Sequence, residues 1–386
     1  MDFTCFTQRL TAACIIAQRA AAQKSAEAAL TGLLLRADAQ DLITVTGYDL
    51  KIGIQTKFSE GVSVNAPGSC VVPGRLFCDI VRRLEGETVR VRLSGNGSVI
   101  IEGGESEFTL QTIPGEYPDF PSVDDTESVG IAAADFVRLI ESTSFAVATV
   151  ETRVDLTGGQ FTVSPDRLRV VFCDGYKLAM CQTAAETSGA FSGSPFIVPG
   201  VALAEAKNIA SVVKADEQIK IGVSEASRHV VFNFPETVLI SRRLTGDFVN
   251  FDTVVPQDNN KVVLADRRKL LATTERVSLV SQDKLKSPLR VTINPETEKI
   301  FMRMETAVGE ADDTAPITAK DGAELREFAI NNRYLLDALR ACSENTVRLT
   351  YSENVKPIAI LPEAEDDDSF LYLIVPMRFS AQNKGE

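Results

Sequence analysis

Two hydrophobic periods alternate along this chain. Apolar residues spaced three or four positions apart are typical of amphipathic helices, and this spacing predicts helices over residues 5–22, 73–84, 132–148, 200–213, 266–281 and 331–342. Between them, short segments in which apolar and polar residues alternate are typical of β-strands. The clearest predicted strands are Leu33–Ala37, Val89–Leu93, Ser98–Glu102, Phe108–Thr112, Leu168–Phe172, Lys220–Val223, Val230–Phe234 and Arg290–Ile293.

Three segments repeat one arrangement: a short apolar strand, then Pro-Gly or Asn-Asn, then an amphipathic helix. The three copies are Ser69–Leu84, Pro195–Ala210 and Glu327–Cys342. Their starts lie 126 and 132 residues apart (from 69 to 195 and from 195 to 327). This spacing is the length of a whole domain and is too long for one unit of a solenoid.

A further predicted helix opens each of these units. The expected fold class is therefore α+β, with three repeated domains that each pack two helices on antiparallel sheets. The predicted domains are 1–122, 123–252 and 253–386. Pro- and Gly-containing stretches at Pro114–Pro121 and Gly246–Pro256 are the expected linkers.

Helical spacing also predicts which face of two helices is buried. In 73–84, Leu76, Ile80 and Leu84 fall four positions apart and are expected to point inward. The opposite side carries Arg75, Asp79, Arg82 and Arg83. In 331–342, Leu335 and Leu339 are expected to point inward, away from Arg333, Asp337 and Arg340.

The charge of the chain is unevenly distributed. The formal net charge is -13 over 386 residues, which by itself disfavours binding to nucleic acid phosphates. The predicted helices differ from the rest: 5–22, 73–84 and 266–284 each carry +2, 331–342 carries +1, 200–213 is neutral and 132–148 carries -1. The helices therefore sum to +6 and leave -19 for the remainder.

Basic helices in an acidic protein have two interpretations. They either present one surface to DNA or are ordinary solvated helix faces. Because no aromatic residues interleave with the basic ones and no recognition motif is present, binding would involve phosphates, without sequence preference and with sensitivity to salt. The candidate DNA contacts are Arg9, Arg19, Lys24, Arg75, Arg82, Arg83, Arg138, Lys207, Arg267, Arg268, Arg276, Arg333 and Arg340.

Residues for catalysis or metal binding are sparse. The seven cysteines are scattered and the single histidine, His229, has no ligand-spaced neighbour, so neither a disulfide framework nor a metal site is expected. No nucleophile elbow, phosphate-binding loop or complete dinucleotide fingerprint occurs. The sequence therefore predicts a protein without cofactors that is not an enzyme, although catalysis by carboxylates alone stays open.

The sequence also bears on location. No apolar run approaches the ~20 residues that cross a bilayer, and the first residues carry no basic region followed by an apolar stretch, as a signal peptide would. A cytoplasmic protein that does not bind membranes is expected.

Several segments together resemble a known family. They are the threefold unit, Phe108–Pro121, Cys173-Asp-Gly-Tyr-Lys-Leu-Ala179 and the terminal Tyr372-Leu-Ile-Val-Pro-Met-Arg-Phe379. In this order and at these spacings they resemble the bacterial sliding clamp, the β subunit of the replicative DNA polymerase, over essentially the whole chain. The resemblance implies a DNA clamp fold: a head-to-tail homodimer that forms a closed ring around double-stranded DNA, with helices lining the hole and sheets outside.

The family resemblance also implies a groove between the second and third domains. This groove takes short linear peptides from polymerase subunits, the clamp loader and repair proteins. The matching positions are Leu156, Cys173, Gly175, Tyr176, Lys177, Leu178, Val249, Thr253, Val254, Leu285, Asn331, Tyr334, Val355, Pro357, Leu373, Ile374, Val375, Pro376, Met377 and Arg378. This chain departs from the family's usual His-Arg at Tyr176-Lys177, Pro at Val249 and Arg at Thr253, which puts the polarity of the groove's rim in question.

Two other functions stay open on the sequence alone. An enzyme on a repeated α+β scaffold is disfavoured by the absent catalytic constellation. A repeat scaffold that binds proteins but no DNA would keep the architecture and leave the charge distribution without a role. Apolar residues of the last strand could also simply pack the core.

Overall fold

The structure is a computed structural model that describes residues 1–121, 128–150, 152–188, 194–224, 228–281, 288–320, 322–352 and 356–377. Its α-helices are α1 (Thr7–Gln18), α2 (Gly74–Val81), α3 (Ala133–Thr143), α4 (Gly200–Ala210), α5 (Phe251–Val254), α6 (Arg267–Ser278) and α7 (Asn332–Ala341). Short 3₁₀ helices span Ala28–Thr31, Ser144–Ala146 and Val154–Thr157.

The strands form antiparallel sheets throughout. They are β1 (Asp2–Phe6), β2 (Leu33–Asp38), β3 (Leu42–Tyr48), β4 (Ile52–Phe58), β5 (Ser63–Ala66), β6 (Gly68–Val72), β7 (Thr88–Leu93), β8 (Ser98–Gly103), β9 (Ser106–Gln111), β10 (Ser128–Ala132), β11 (Gly158–Val163), β12 (Arg167–Cys173), β13 (Lys177–Ala184), β14 (Glu186–Ser188), β15 (Phe196–Pro199), β16 (Gln218–Ser224), β17 (His229–Asn233), β18 (Thr237–Arg242), β19 (Lys261–Asp266), β20 (Pro288–Asn294), β21 (Lys299–Thr306), β22 (Gly309–Ala319), β23 (Arg326–Asn331), β24 (Thr346–Tyr351), β25 (Ile358–Pro362) and β26 (Phe370–Ile374).

The chain divides into two compact units by its internal contacts. Unit 1 holds residues 1–137, 186–192 and 201–243, and unit 2 holds 138–185, 193–200 and 244–386. Unit 1 contains a five-stranded sheet, β5-β1-β7-β8-β9, and a nine-stranded sheet, β14-β10-β16-β17-β18-β4-β3-β2-β6. Unit 2 contains a twelve-stranded sheet, β15-β11-β12-β13-β26-β25-β24-β19-β22-β21-β20-β23.

The predicted elements are confirmed, with shorter helices. Each predicted strand coincides with an observed one, apart from end residues such as Thr112 and Phe234. The first helix begins at Thr7 instead of residue 5, because Asp2–Phe6 is extended and pairs with both β5 and β7. The three strand-then-helix repeats are β6–α2, β15–α4 and β23–α7, which confirms the repeated α+β class.

One prediction about a buried face was wrong. Leu76 does not point inward: it is 50% exposed, and α2 buries Phe77, Cys78, Ile80 and Val81. The buried face of α2 therefore includes Phe77 and the residues three and four positions after it. This face is wider than the predicted row of residues spaced four positions apart from Leu76. In α7 the prediction was right, since Leu335 and Leu339 are buried.

Hydrogen bonds establish which residues are equivalent in the three repeats. After the last strand of each repeat, one backbone N–H binds the strand that precedes the second helix: Ile113 to Val71 (2.8 Å), Leu244 to Ile197 (3.0 Å) and Met377 to Ala329 (2.7 Å). Because these bonds match residue by residue, β9, β18 and β26 are equivalent strands. By their place in the hairpin after the first helix, β4, β13 and the first half of β22 are equivalent too.

Equivalent strands meet in the same way at two places. In unit 1, β18 pairs with β4, from Thr237 opposite Thr56 to Ser241 opposite Ile52. In unit 2, β26 pairs with β13, from Phe370 opposite Cys181 to Ile374 opposite Lys177. We call these pairings the first and the second junction. Successive repeats are thus joined by continuous antiparallel sheet.

Close packing between helix and sheet in unit 1 leads to a prediction. A Cβ on Gly47 of β3 would lie 2.0 Å from the backbone oxygen of Ala17 in α1. Since backbone atoms cannot yield cheaply, we expect Gly47→Ala to lower the free energy of unfolding by ~1–3 kcal/mol. Urea denaturation would measure this.

Gly95 provides the matched control, because a Cβ there meets nothing within 4 Å. We expect Gly95→Ala to change stability by less than about 0.5 kcal/mol. Equal stability of the two variants would contradict the close approach of β3 and α1.

Candidate functional site

The second junction begins with a tight turn between β12 and β13. The Asp174 Oδ1 atom accepts hydrogen bonds from the backbone N–H groups of Tyr176 and Lys177, both at 2.8 Å. Gly175 takes a positive φ of 89° there, a conformation that favours glycine. The Tyr176 carbonyl then accepts the N–H of Val375 at 2.9 Å, so the turn is bound to the residue after β26.

Lys177 leaves this turn and is held from several sides. Its side chain is buried, with its Nζ atom 3.2 Å from Asp337 Oδ2. The same Nζ lies 5.0 Å from the ring centre of Tyr334 and 5.6 Å from that of Phe145. A partly desolvated cation between a carboxylate and two aromatic rings is strongly oriented. Lys177 therefore ties β13 to α7.

An apolar cluster lies next to this turn. Its buried members from the second repeat include Leu156, Cys173 and Leu178, and Leu373 joins them from β26. Val249 and Val254 pack against the cluster while remaining partly exposed. Burial raises the pKa of the Cys173 thiol, so it stays protonated and acts as a small apolar side chain. The arrangement is an apolar floor with a partly open edge, which suits an anchor side chain.

The second part of the site is formed by β23, α7 and the end of β26. Asn331 caps α7, its Oδ1 accepting the Arg333 N–H at 3.0 Å. Burial, with the charges of Asp174 and Tyr176 as further causes, raises the pKa of Tyr334, whose hydroxyl also interacts with Asn331. Met377 forms an isolated bridge to Ala329. Met377 is thereby fixed opposite Ala329, two residues before Asn331 in β23.

The structure brings most of the predicted groove residues into unit 2. Thr253, in the short helix α5, is exposed, and Pro357 is positioned through its carbonyl, which accepts the side chain of Asn259 at 3.0 Å. Ile374 is buried opposite Lys177, and Val375 is 38% exposed, next to Pro376. Leu285, Val355 and Arg378 lie outside the described residues.

Sequence reasoning missed several residues of this region. Phe145, Met180 and Asp337 contact or support the groove, as do Phe248 and Phe251, which pack against the apolar cluster. Phe251 also carries the Arg169 guanidinium 5.1 Å from its ring centre. No local pattern marks these residues, because strand pairing and packing bring them together from distant parts of the chain.

The predicted basic residues lie in different surroundings. Some are paired within the chain: Arg9 with Glu236 at 2.5 Å, Arg19 with Glu205 at 3.0 Å, Arg276 with Asp313 at 2.6 Å and Arg340 with Glu275 at 2.9 Å. Arg267 instead binds the carbonyl oxygens of Glu344 and Leu339. In these residues, carboxylates or carbonyl oxygens of the chain itself already offset part of the positive charge.

The remaining basic candidates are more open. Arg82 and Arg83, just past α2, share Asp79 at 3.0 and 3.1 Å. Arg138 donates to Thr183 at 3.0 Å, Lys207 is half-buried and Arg333 is exposed. Among the described residues, no ion pair involves the exposed side chains of Lys24, Arg75 and Arg268. Helix α6 is the most basic, with Arg267, Arg268, Lys269 and Arg276 against Glu275 alone.

Chemically, the site suits binding better than turnover. Within the described ranges, no group of three or more His, Cys, Asp or Glu side chains is placed to hold a metal ion. None of the described helices combines the length and apolar content needed to cross a membrane. In the described part of the chain, the candidate groove consists of apolar side chains, an oriented lysine and a tyrosine, which can bind a segment of another molecule.

The fold has three repeats joined by antiparallel sheet, basic helices and an apolar cluster at a junction. These features place the chain in the class of clamp proteins. Models of one family match nearly the whole chain: the DNA polymerase III beta subunit N-terminal domain matches residues 1–124, its central domain 130–250 and its C-terminal domain 252–378. The chain belongs to the DNA polymerase III beta subunit family, the sliding clamps of DNA replication.

Individual relatives agree with this assignment. The beta sliding clamp of Synechococcus elongatus is 27% identical over 383 residues, covering 98% of this chain and 100% of the relative. The crystal structure of the DNA polymerase sliding clamp from Bacillus subtilis matches with a TM-score of 0.92 at 25% identity, covering 98% and 99% of the two chains. A sliding clamp from Pseudomonas aeruginosa bound to griselimycin matches at 0.89 and 25%, covering 98% and 100%.

Proposed function

We propose that two copies of this chain close head to tail into a ring around double-stranded DNA and serve as a processivity factor. The observation that carries this proposal is the repeated junction: among the described strands, one strand of each junction type, β9 and the first half of β22, lacks its junction partner. The division into domains 1–122, 123–252 and 253–386 is supported by the three family matches. On this proposal the chain performs no catalysis and needs no cofactor.

In the described part of the chain, the edges that lack a junction partner are those of β9 and of the first half of β22. At the two junctions within the chain, a strand of the β9 type pairs with a strand of the β4 type. Within the described residues, β9 pairs with β8 and the first half of β22 pairs with β21, and neither has a second strand partner. A free strand edge is a template for further pairing. Strand β9 belongs to the first repeat and β22 to the third. If β9 of each copy pairs with β22 of the other, the two copies form a closed, head-to-tail arrangement.

The internal junctions also predict the register between copies. Ala329 pairs with Arg290, Arg290 pairs with Arg303, and Arg303 pairs with Asp312. The same three steps from the equivalent residues of the first two repeats lead to Gln55 and Met180, so Asp312 is equivalent to both. Gln55 faces Val238 and Met180 faces Leu371. The equivalent pairing places Asp312 opposite Glu107 of the other copy and Ala311 opposite Phe108. Arg303, 3.4 Å from Asp312, offsets the like charges.

Exposed apolar side chains mark the same two edges. Phe108 on β9 is 40% exposed, and Leu76 of α2 is equivalent to Tyr334, which lies at the second junction. On the opposite edge, Leu279 is 83% and Val308 63% exposed, and a Cβ on Gly309 would lie 4.0 Å from Val280. Pairing of the edges would bury these residues, which explains why Leu76 departs from the predicted inward face.

DNA contacts are assigned to the basic residues of the helices. The supporting observation is that Lys24, Arg75 and Arg268 are exposed without an ion pair in the described part of the chain, while α6 is strongly basic. Contacts from Arg and Lys to phosphate have no sequence preference and allow sliding. The acidic remainder of the chain discourages binding elsewhere.

The groove at the second junction is assigned to partner proteins. The apolar floor at Leu178 and the flexible Met377 suit anchor residues of short linear peptides from polymerase subunits, the clamp loader and repair proteins. Relatives from Pseudomonas aeruginosa and Bartonella birtlesii have been solved with griselimycin. We propose that griselimycin binds this chain in the same groove.

Sliding on DNA is the first test. Protein loaded on nicked circular DNA should remain bound after gel filtration, and linearising the DNA should release it, because a ring holds DNA by topology and not by tight affinity. Retention would be measured as protein eluting with DNA. A sample kept circular is the control, and equal retention on linear and circular DNA would contradict the ring.

The dimer is tested by mass. We expect a mass near twice 41.9 kDa by light scattering, and Phe108→Asp should shift it toward one chain, because a buried carboxylate is costly at the new interface. Val212 is 75% exposed and follows α4 in the second repeat, which contributes neither edge, so Val212→Asp should remain dimeric. A Phe108→Asp variant of unchanged mass would rule out pairing through β9.

The groove is tested by truncating its anchor contacts. Met377→Ala combined with Leu178→Ala should weaken griselimycin at least ~10-fold, since each lost apolar contact costs about 1 kcal/mol or more. Calorimetry would measure the affinity. Leu325→Ala, at a 67% exposed residue outside the groove, should leave it unchanged, and the dimer mass should stay the same in both. Wild-type affinity in the double variant would remove the groove assignment.

A further inference from the structure

A cleft of about 450 Å³ lies on the nine-stranded sheet at the first junction. One row of its floor crosses five neighbouring strands, and each residue pairs with the next: Leu34, Thr46, Gln55, Val238 and Asn233. All residues that line the cleft belong to unit 1. The paired strands therefore fix the floor of the cleft within one compact body.

This floor lies at positions equivalent to the apolar cluster of the second junction. The equivalent pairs, read from the strand pairings, are Thr46 and Val171, Gln55 and Met180, Val238 and Leu371, and Ile240 and Leu373. The four residues of the second junction all belong to its apolar cluster. In the first junction, the cleft therefore takes the place that the proposed peptide groove has in the second.

A linker forms a wall beside the floor in both junctions. Tyr117 and Phe120 line the cleft of the first junction, and the Tyr117 hydroxyl donates a hydrogen bond to the Thr46 carbonyl at 3.3 Å. Counting from the glycine of each linker, they are equivalent to Phe248 and Phe251, which pack against the apolar cluster of the second junction. Both junctions thus combine a sheet floor with an aromatic linker.

The floor of the cleft is polar where the second junction is apolar. The Gln55 Nε2 atom donates a hydrogen bond to Thr46 Oγ1 at 3.2 Å, and Gln55 is partly exposed. A side-chain amide can bind the backbone groups of an extended ligand. The valine and isoleucine side chains of β17 and β18 keep an apolar part beside it. A ligand that fits this floor therefore has both polar and apolar groups.

Two cations stand in the next row of the cleft. Arg36 and Lys57 both lie opposite Thr44, one on each side of it, so two strand spacings, or ~10 Å, separate them. Both side chains are exposed, and within the described residues neither forms an ion pair. The lining residues also include the carboxylate of Asp119. Two cations against this one carboxylate make the described lining of the cleft positive.

The second junction lacks this pair of cations. Its equivalent row consists of Thr162, Arg169 and Gln182. The guanidinium of Arg169 lies 5.1 Å from the ring centre of Phe251, so it is already engaged with the linker. The two junctions therefore present different charges on equivalent backbones, and they suit different ligands.

The geometry points to a second binding groove at the first junction, which takes an extended acidic segment of another protein. A polyproline II segment repeats its face every three residues, or ~9 Å, which matches the separation of Arg36 and Lys57. The segment has two carboxylates three positions apart and an apolar residue between them. A peptide is favoured over nucleic acid, because the Phe120 ring packs on Tyr48, 6.1 Å between centres, instead of offering a free face to a base.

The first experiment measures binding of a probe peptide, acetyl-Glu-Leu-Pro-Glu-amide, by calorimetry. It should bind with one site per chain, and added salt should weaken it because the contacts are ionic and exposed. The peptide with both glutamates changed to glutamine should bind at least ~10-fold more weakly, since it loses two charge-assisted contacts. Equal affinity of the two peptides, or no saturable binding, would overturn the inference.

The second experiment removes the cations. Arg36→Ala combined with Lys57→Ala should weaken the glutamate peptide at least ~10-fold, with an unchanged far-UV circular dichroism spectrum. Lys214→Ala combined with Lys299→Ala is the matched control, because it removes the same charge at two exposed residues that do not line the cleft. The control should bind as wild type does. An equal loss in both variants would mean that net charge alone attracts the peptide, and would overturn the inference.

Further outcomes separate this groove from the proposed one and from a nucleic acid site. Met377→Ala with Leu178→Ala should bind the glutamate peptide as wild type does. If this variant loses the peptide, the peptide binds at the second junction, which overturns the inference and leaves the proposed function intact. A thymidine tetranucleotide that binds more tightly than the peptide, and is lost with Arg36→Ala and Lys57→Ala, would assign the cleft to nucleic acid and also overturn the inference.

Discussion

Antiparallel pairing between strands of different repeats is the interaction on which the rest of this structure depends. At each junction, five consecutive residues of one repeat face five of the next, so the backbone hydrogen bonds of an inner sheet run through the boundary without interruption. For this reason the chain separates into two compact units, each holding part of the central repeat. The covalent repeat has about 130 residues, whereas the packed unit is built around a junction.

The junction also creates the candidate binding site. Joining β13 to β26 places a turn, a helix terminus and a linker around one apolar cluster, although these come from residues about 200 positions apart. The Lys177 side chain is fixed between Asp337 and two aromatic rings, so the rim is held by contacts across the junction. Lys177, at a position where the resemblance implies a different residue, therefore belongs to a structural tie as well as to a surface.

Repeats with equivalent backbones carry different side chains at their junctions. The three repeats share a backbone hydrogen bond after their last strand, yet the buried Lys177 of the second junction stands where the first junction has Ile52. At the strand edges, two pairings are satisfied within the chain, and on the proposed function a third forms between two copies. Side chains of a few residues thus distinguish junctions whose backbones are alike.

The sequence by itself determined the repeat, the six long helices, the predicted strands and the uneven distribution of charge, because these follow from local periodicity and composition. It could not fix the inward face of α2, since Leu76 and Phe77 fit helical spacing about equally well and the packing partner decides between them. Nor could it show that Arg9, Arg19, Arg276 and Arg340 are paired, or that Phe145, Asp337 and Phe251 surround the groove. These contacts join residues far apart in the chain, and only the pairing of strands across the junctions brings them within a few ångströms.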